Sequence, residues 1–281
     1  MAVERSLVNG YKTRYVRIEG PVGPLKLLVA EPDNAPGPVP GILWIHGGGY
    51  MTGMPEMLHI SRPVQILQAG LGVVVCPQYR LAWRAPYPAA VEDCYAGLLW
   101  MKEHADELGI NSDQVFVGGE SAGGGLTAAV CLMARDRGQV NIAYQMPLYP
   151  MLDCFDTESS RDNHGHVWDT ARNHWGWRHY LGKLQDSADI PAYASAAREV
   201  DYSGLPPTYT FVSTGEPFYA ETLEYVENLQ GAGIEAHCDV YEGDTHAFDM
   251  LMPWQDTSKE AARQFMLHYL DALEKYHAPQ V

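Results

Sequence analysis

Ser121 lies in Gly119-Glu120-Ser121-Ala122-Gly123, a G-x-S-x-G pentapeptide. It follows the apolar run Val115-Phe116-Val117 and leads into Gly124-Gly125-Leu126. A serine on a tight strand-to-helix turn has strained backbone angles, so its neighbours must lack bulk. Gly119 and Gly123 let the two arms of such a turn pass closely. The hydroxyl then stands above a sheet edge, with the positive end of a helix beneath it. By itself the pentapeptide is also readable as a glycine-rich turn that happens to hold a serine. Three other stretches supply what a nucleophilic serine needs. His46-Gly47-Gly48-Gly49 can turn backbone N–H groups toward one developing oxyanion, because three of its residues have no side chain in the way. Gly215-Glu216-Pro217 offers a carboxylate, and Gly243-Asp244-Thr245-His246 offers an imidazole. Glu221 and Asp244 are alternative acids of lower rank.

These residues need a scaffold that brings them to one place. Apolar or alternating runs predict eight strands, at 15–18, 25–30, 41–45, 72–77, 115–117, 141–148, 208–212 and 235–241. Helical stretches are expected at about 55–69, 88–108, from Ser121 to Gly138, 219–230 and 256–276. Buried strands that alternate with helices imply a mostly parallel sheet covered on both faces. Sites on such sheets form beyond the carboxyl ends of the strands. Ser121, the glycine loop after 41–45, Glu216 after 208–212 and His246 after 235–241 all fall there. Residues 152–200 break the alternation with many aromatic residues and histidines, and read as an inserted cap on a single domain spanning 1–281.

Bulk properties narrow the function. The chain has 281 residues, 46% of them hydrophobic, enough for a two-sided core. A formal net charge of −16 disfavours nucleic acid and anionic membrane as partners. The absence of a long apolar run and of an apolar leader gives the expectation of a cytoplasmic protein with no stable membrane association. Five scattered cysteines without C-x-x-C spacing predict free thiols and no zinc site. His164, His166, His174 and His179, with Asp169, raise the question of a metal in the cap, but no ligand set is fixed by spacing. Gly123-Gly124-Gly125-Leu126-Thr127-Ala128 formally reads G-x-G-x-x-A, yet it falls inside the expected helix and lacks an acidic partner about 20 residues on. No cofactor and no metal are expected.

Serine, acid and histidine in that chain order, each on a loop at one sheet edge, are the arrangement expected of an α/β-hydrolase. The sequence resembles the bacterial hormone-sensitive-lipase-like carboxylesterases. The resemblance rests on His46-Gly47-Gly48-Gly49, Tyr79-Arg80-Leu81-Ala82, Pro86-Tyr87-Pro88-Ala89-Ala90-Val91-Glu92-Asp93, Gly119-Glu120-Ser121-Ala122-Gly123-Gly124, Gly204-Leu205-Pro206-Pro207 and Gly243-x-x-His246-x-Phe248. It implies an α/β-hydrolase fold with a mostly parallel eight-stranded sheet, helices on both faces and a small helical cap. It implies Ser121 as nucleophile, His246 as base, and oxyanion donors at the N–H groups of Gly48, Gly49 and Ala122. Glu216 stands in Glu216-Pro217-Phe218, where the family usually has Asp-Pro-Leu, and Glu120 where it often has Asp. The lead before His46 is shorter than in many members, so the N-terminal part of the cap should be reduced.

The expected activity is hydrolysis of short-acyl carboxylic esters by a Ser-His-Glu triad through an acyl-enzyme. Amidases and lactonases use the same triad, and a hydrolase fold kept as a ligand receptor is the non-catalytic alternative. Tyr50, Trp83, Trp168 and Trp175 are candidate walls for the substrate. The last strand, 235–241, is an edge able to pair with a second copy across a two-fold axis.

Overall fold

A computed structural model of the protein describes residues 6–8 and 10–281. One sheet runs through the molecule in the order β1-β2-β3-β5-β4-β6-β7-β8-β9. The strands are β1 (Ser6–Val8), β2 (Tyr11–Gly20), β3 (Gly23–Pro32), β4 (Val39–Ile45), β5 (Val73–Pro77), β6 (Ile110–Glu120), β7 (Tyr144–Leu148), β8 (Thr208–Ser213) and β9 (Ala236–Tyr241). From β5 to β9 every neighbouring pair is parallel, whereas β1–β2, β2–β3 and β3–β5 are antiparallel. The eight expected strands are β2 to β9. The sheet has a ninth because three residues of the N-terminal lead pair with Tyr11, Lys12 and Thr13. A strand that short carries no readable period.

Alternating side chains cover the two faces of the sheet, as period two requires. On β4, Leu43 and Ile45 join the core that holds α2 (Ala89–Glu103), α4 (Ala122–Arg137) and α6 (Tyr219–Gly231). Ile42 and Trp44 join the other core, under α1 (Pro63–Gln68) and α8 (Asp256–Lys275). β4, β5, β7 and β8 are buried along their whole length, which is why they read as unbroken apolar runs. Two expected helices differ in detail. The 88–108 stretch is α2 followed by α3 (Ala105–Leu108), with a break at His104, whose ring nitrogen lies 2.9 Å from the Trp100 carbonyl. The 55–69 stretch is a 3₁₀ turn (Pro55–Ile60) and then α1, separated at Ser61 and Arg62.

Between β7 and β8 the chain leaves the sheet. It forms α5 (Thr170–Leu181), whose start is capped by Asp169 accepting from the Arg172 N–H at 2.8 Å. Short 3₁₀ turns follow at Gly182–Leu184 and Ala196–Arg198. Beyond β8 and β9, α7 (Phe248–Leu251) leads into α8. No helix among the described residues is long and apolar enough to cross a membrane. Cys76, Cys94 and Cys131 are buried and free, and Cys154 and Cys238 are half-buried and free.

Candidate active site

Ser121 joins β6 to α4 with φ 57° and ψ −121°, in the left-handed half of backbone space. The turn folds hard against the end of β4. A Cβ on Gly123 would stand 2.0 Å from the Ile45 carbonyl oxygen, and one on Gly119 would stand 2.4 Å from the same atom. Only hydrogen fits at either place, which explains the two flanking glycines of the pentapeptide. The turn is held by the Ser121 N–H donating to the Leu148 carbonyl and by the Gly125 and Met151 N–H groups donating to the Ser121 carbonyl, all at 3.0 Å.

His246 lies between Ser121 and Glu216. Its Nε2 is 2.8 Å from Ser121 Oγ, and its Nδ1 makes a short hydrogen bond to Glu216 Oε2. A carboxylate only accepts, so the ring proton sits on Nδ1 and the Nε2 lone pair faces the serine hydroxyl. Glu216 is fully buried, and its other oxygen accepts from the Ser213 N–H at 2.8 Å and the Ser213 hydroxyl at 3.0 Å. The imidazole edge is walled by Tyr149 and Phe218, each nearly perpendicular to it at 5.2 and 5.1 Å between ring centres. The loops that carry Glu216 and His246 are tied together: Gly215 N–H donates to the Gly243 carbonyl at 2.7 Å, and Thr214 N–H to the Tyr241 carbonyl at 2.9 Å.

The glycine loop packs against the serine turn. A Cβ on Gly47 would come within 3.2 Å of Ser121 Cβ. His46 is buried and stacked on Tyr79 at 4.2 Å. Burial lowers its pKa to about 4 against the opposing pull of the Gly47 carbonyl, so the ring is neutral and Nδ1–H donates to that carbonyl at 2.8 Å. In a trans peptide the C=O and the next N–H point in opposite directions. Holding the Gly47 carbonyl toward His46 therefore turns the Gly48 N–H away from it. The Gly48 carbonyl is fixed in turn by the N–H groups of Met51 and Thr52 at 3.0 Å. Gly49 has φ +59°, and a Cβ there would meet the Trp168 ring at 2.2 Å. Ala122 opens α4, where N–H groups have no acceptor one turn earlier.

Glu120 sits beneath the serine turn, 2% exposed. Trp44 Nε1–H donates to its Oε2 at 2.9 Å, and the Ser61 hydroxyl makes a short hydrogen bond to Oε1. Burial raises its pKa to about 8, against the opposing effect of those two bonds and of Arg62. The sign of the consequence follows by linkage. The unfolded chain releases this proton near the ordinary carboxyl value while the folded chain keeps it, so stability is greatest below that value and falls as pH rises toward about 8. Glu120→Gln should remove this loss, on the order of a few kcal/mol across the window, while keeping an acceptor for Trp44 and a donor for Ser61. Urea midpoints measured from pH 5 to 8.5 are expected to fall more steeply for the parent than for the variant. Parallel profiles would show that Glu120 is ionised in the fold.

The other expected site residues divide. Trp168 stands over Gly49, with its ring 6.5 Å from that of His246. Tyr50 is buried, stacked on Tyr180 of α5 at 3.9 Å, and its hydroxyl donates to the Met151 carbonyl at 3.2 Å. Trp83 and Trp175 are 59% and 47% exposed; Arg84 lies over the first ring and His179 beside the second. Glu221 accepts from the Leu152 and Asp153 N–H groups, which ties the chain after β7 to α6, and Asp244 is exposed. The cap histidines are dispersed: His164 pairs with Asp162, His174 with Asp156, and His179 with the Trp175 carbonyl. Further braces hold the Glu216 and His246 loops. Asn163 Nδ2–H donates to the Gly215 carbonyl at 3.0 Å, and the Ser159 hydroxyl to the Pro217 carbonyl at 2.6 Å. His166 forms a β-bridge with Thr245. Each brace joins segments distant in the chain, so no local pattern announces it.

A central parallel sheet with a serine turn, a histidine and a buried acid meeting beyond its strand ends is the architecture of the α/β-hydrolase class. Residues 42–250 match the family described as the alpha/beta hydrolase fold, and the chain belongs to that family. Within it the chain sits with the hormone-sensitive-lipase-like carboxylesterases. It is 31% identical to Esterase LipI of Mycobacterium tuberculosis over 77% of this chain and 68% of that one. It is 33% identical to the carboxylic ester hydrolase LipN of the same organism over 82% of this chain and 62% of that one. The chain thus spans about two thirds of the length of these curated relatives. A solved structure titled Bacterial Heroin Esterase superposes with a TM-score of 0.91 at 33% identity, covering 96% of this chain and 87% of that one.

Proposed function

We propose that the protein hydrolyses short-acyl carboxylic esters with Ser121 as nucleophile, His246 as general base and acid, and Glu216 as the group that orients and charge-balances the imidazole. The observation that carries this reading is the unbroken contact from Ser121 Oγ to His246 Nε2 and from His246 Nδ1 to Glu216. His246 takes the serine proton as Oγ attacks the ester carbonyl carbon. The oxyanion is held by the N–H groups of Gly48, Gly49 and Ala122. His246 then gives its proton to the leaving alcohol, and the acyl group stays on Oγ. Water repeats the sequence and frees the acid.

Residues 152–200 act as the cap. Trp168 limits the space beside the glycine loop, which favours small acyl groups; its contacts with Gly49 and His246 give it more support as a wall than Tyr50, Trp83 or Trp175. β9 is the last strand of the sheet, bonded on one side to β8, and its free side is a candidate seam for a homodimer. The protein is read as cytoplasmic. Amide or lactone hydrolysis by the same triad and ligand reception without catalysis are the competing functions. A series of p-nitrophenyl esters from acetate to decanoate, with p-nitroacetanilide as the amide control and γ-butyrolactone as the lactone control, separates them. kcat/KM is expected to be highest for the shortest acyl groups and to fall steeply for the anilide. An anilide rate equal to the acetate rate would favour the amidase reading, and no turnover of any ester would favour the receptor.

A further inference from the structure

The side chains of His237, Asp239 and His268 converge on the sheet edge, and none of them belongs to the triad. We propose that they form a site for one divalent transition-metal ion of the zinc kind, between β9 and α8. His237 and Asp239 are two apart on a strand, so they project from the same face; α8 brings His268 across that face. One ligand atom from each of the three lies within 4.8 Å of the other two. Two imidazole nitrogens and one carboxylate oxygen suit zinc, cobalt, nickel or copper better than magnesium or calcium.

The carboxylate is also held from behind. Tyr209, buried on β8, donates its hydroxyl to Asp239 Oδ2 at 2.8 Å and leaves Oδ1 facing His237 Nε2 at 2.9 Å. An outer partner that fixes a ligating carboxylate is a recurring part of metal sites. The Tyr209 ring also stacks on His268 at 4.2 Å, and His268 on His237 at 4.7 Å. The His237 side chain is 54% exposed, so an ion reaches the site directly from solvent. When Nε2 of His237 ligates the ion, the single ring proton resides on Nδ1, the Asp239 oxygen that faced Nε2 turns to the ion, and no change of oxidation state is involved.

The test is calorimetric titration of chelator-treated full-length protein with zinc chloride in a non-coordinating buffer. One ion per chain is expected. His237→Ala alters an exposed side chain and should weaken zinc at least about 100-fold, and Tyr209→Phe roughly 10–100-fold. His164→Ala, on an exposed cap residue, should leave the affinity unchanged. Should Tyr209→Phe fail to fold, Asp239→Asn takes its place, and Co(II) loaded on the parent should show the visible bands of nitrogen–oxygen coordination. Absence of zinc binding at micromolar concentration, or equal affinity in parent and His237→Ala, would overturn the site.

Discussion

Ser121→Ala is expected to lower turnover of p-nitrophenyl acetate by a factor on the order of 10⁶ while leaving the fold in place. Alanine keeps the Cβ at 121, so the backbone at φ 57° is no more strained than before. The hydrogen bonds of the 121 N–H and carbonyl to Leu148, Gly125 and Met151 are made by the main chain and persist. What disappears is the only oxygen within reach of His246 Nε2 on this turn. Residual rate above the uncatalysed reaction, roughly 10³–10⁴-fold, should come from the amide donors and from binding. Steady-state rates, with circular dichroism to confirm folding, decide the matter. A variant as fast as the parent would remove Ser121 from the chemistry. Labelling of the parent by a serine-directed organophosphate, absent in the variant, is the companion readout.

Glu216→Gln should cost on the order of 10⁴ in turnover with little change in shape. The reason lies in the two Ser213 donors. Both the N–H and the hydroxyl of Ser213 point at Glu216 Oε1, so a glutamine is driven to put its carbonyl oxygen there. Its NH₂ group then faces His246 Nδ1, which must accept instead of donate. The ring proton moves to Nε2 and points at Ser121 Oγ, the reverse of what proton removal needs. The imidazolium formed during the reaction also loses its counter-charge in a buried place. A loss below tenfold would show that another acid orients the ring. Glu221 and Asp244 are the alternatives by sequence, but Glu221 is engaged with the Leu152 and Asp153 amides.

Much of this site was legible before any coordinates. Ser121, Glu216 and His246 each sit where a strand ends, and fully buried strands announce themselves as apolar runs; the glycines at 119 and 123 are demanded by contacts that admit only hydrogen. What could not be read is side-chain traffic across the chain. Ser61 interrupts an expected helix where its hydroxyl meets Glu120, 59 residues on in sequence. Ser213 and Asn163 are ordinary residues until the loops they brace are brought beside them. The grouping of His237, Asp239 and His268 depends on how α8 lies across β9, and no spacing along the chain encodes that. The short β1 is invisible for a simpler reason, since three residues cannot display a period.

The loops after β8 and β9 are stitched to each other, yet the serine turn belongs to β6 and α4. The protein therefore carries Glu216 and His246 as one prefabricated half and Ser121 as the other. Thermal loosening should part the two halves at the serine–imidazole contact before it separates imidazole from carboxylate. Early inactivation would then be a reversible loss of alignment, distinct from melting.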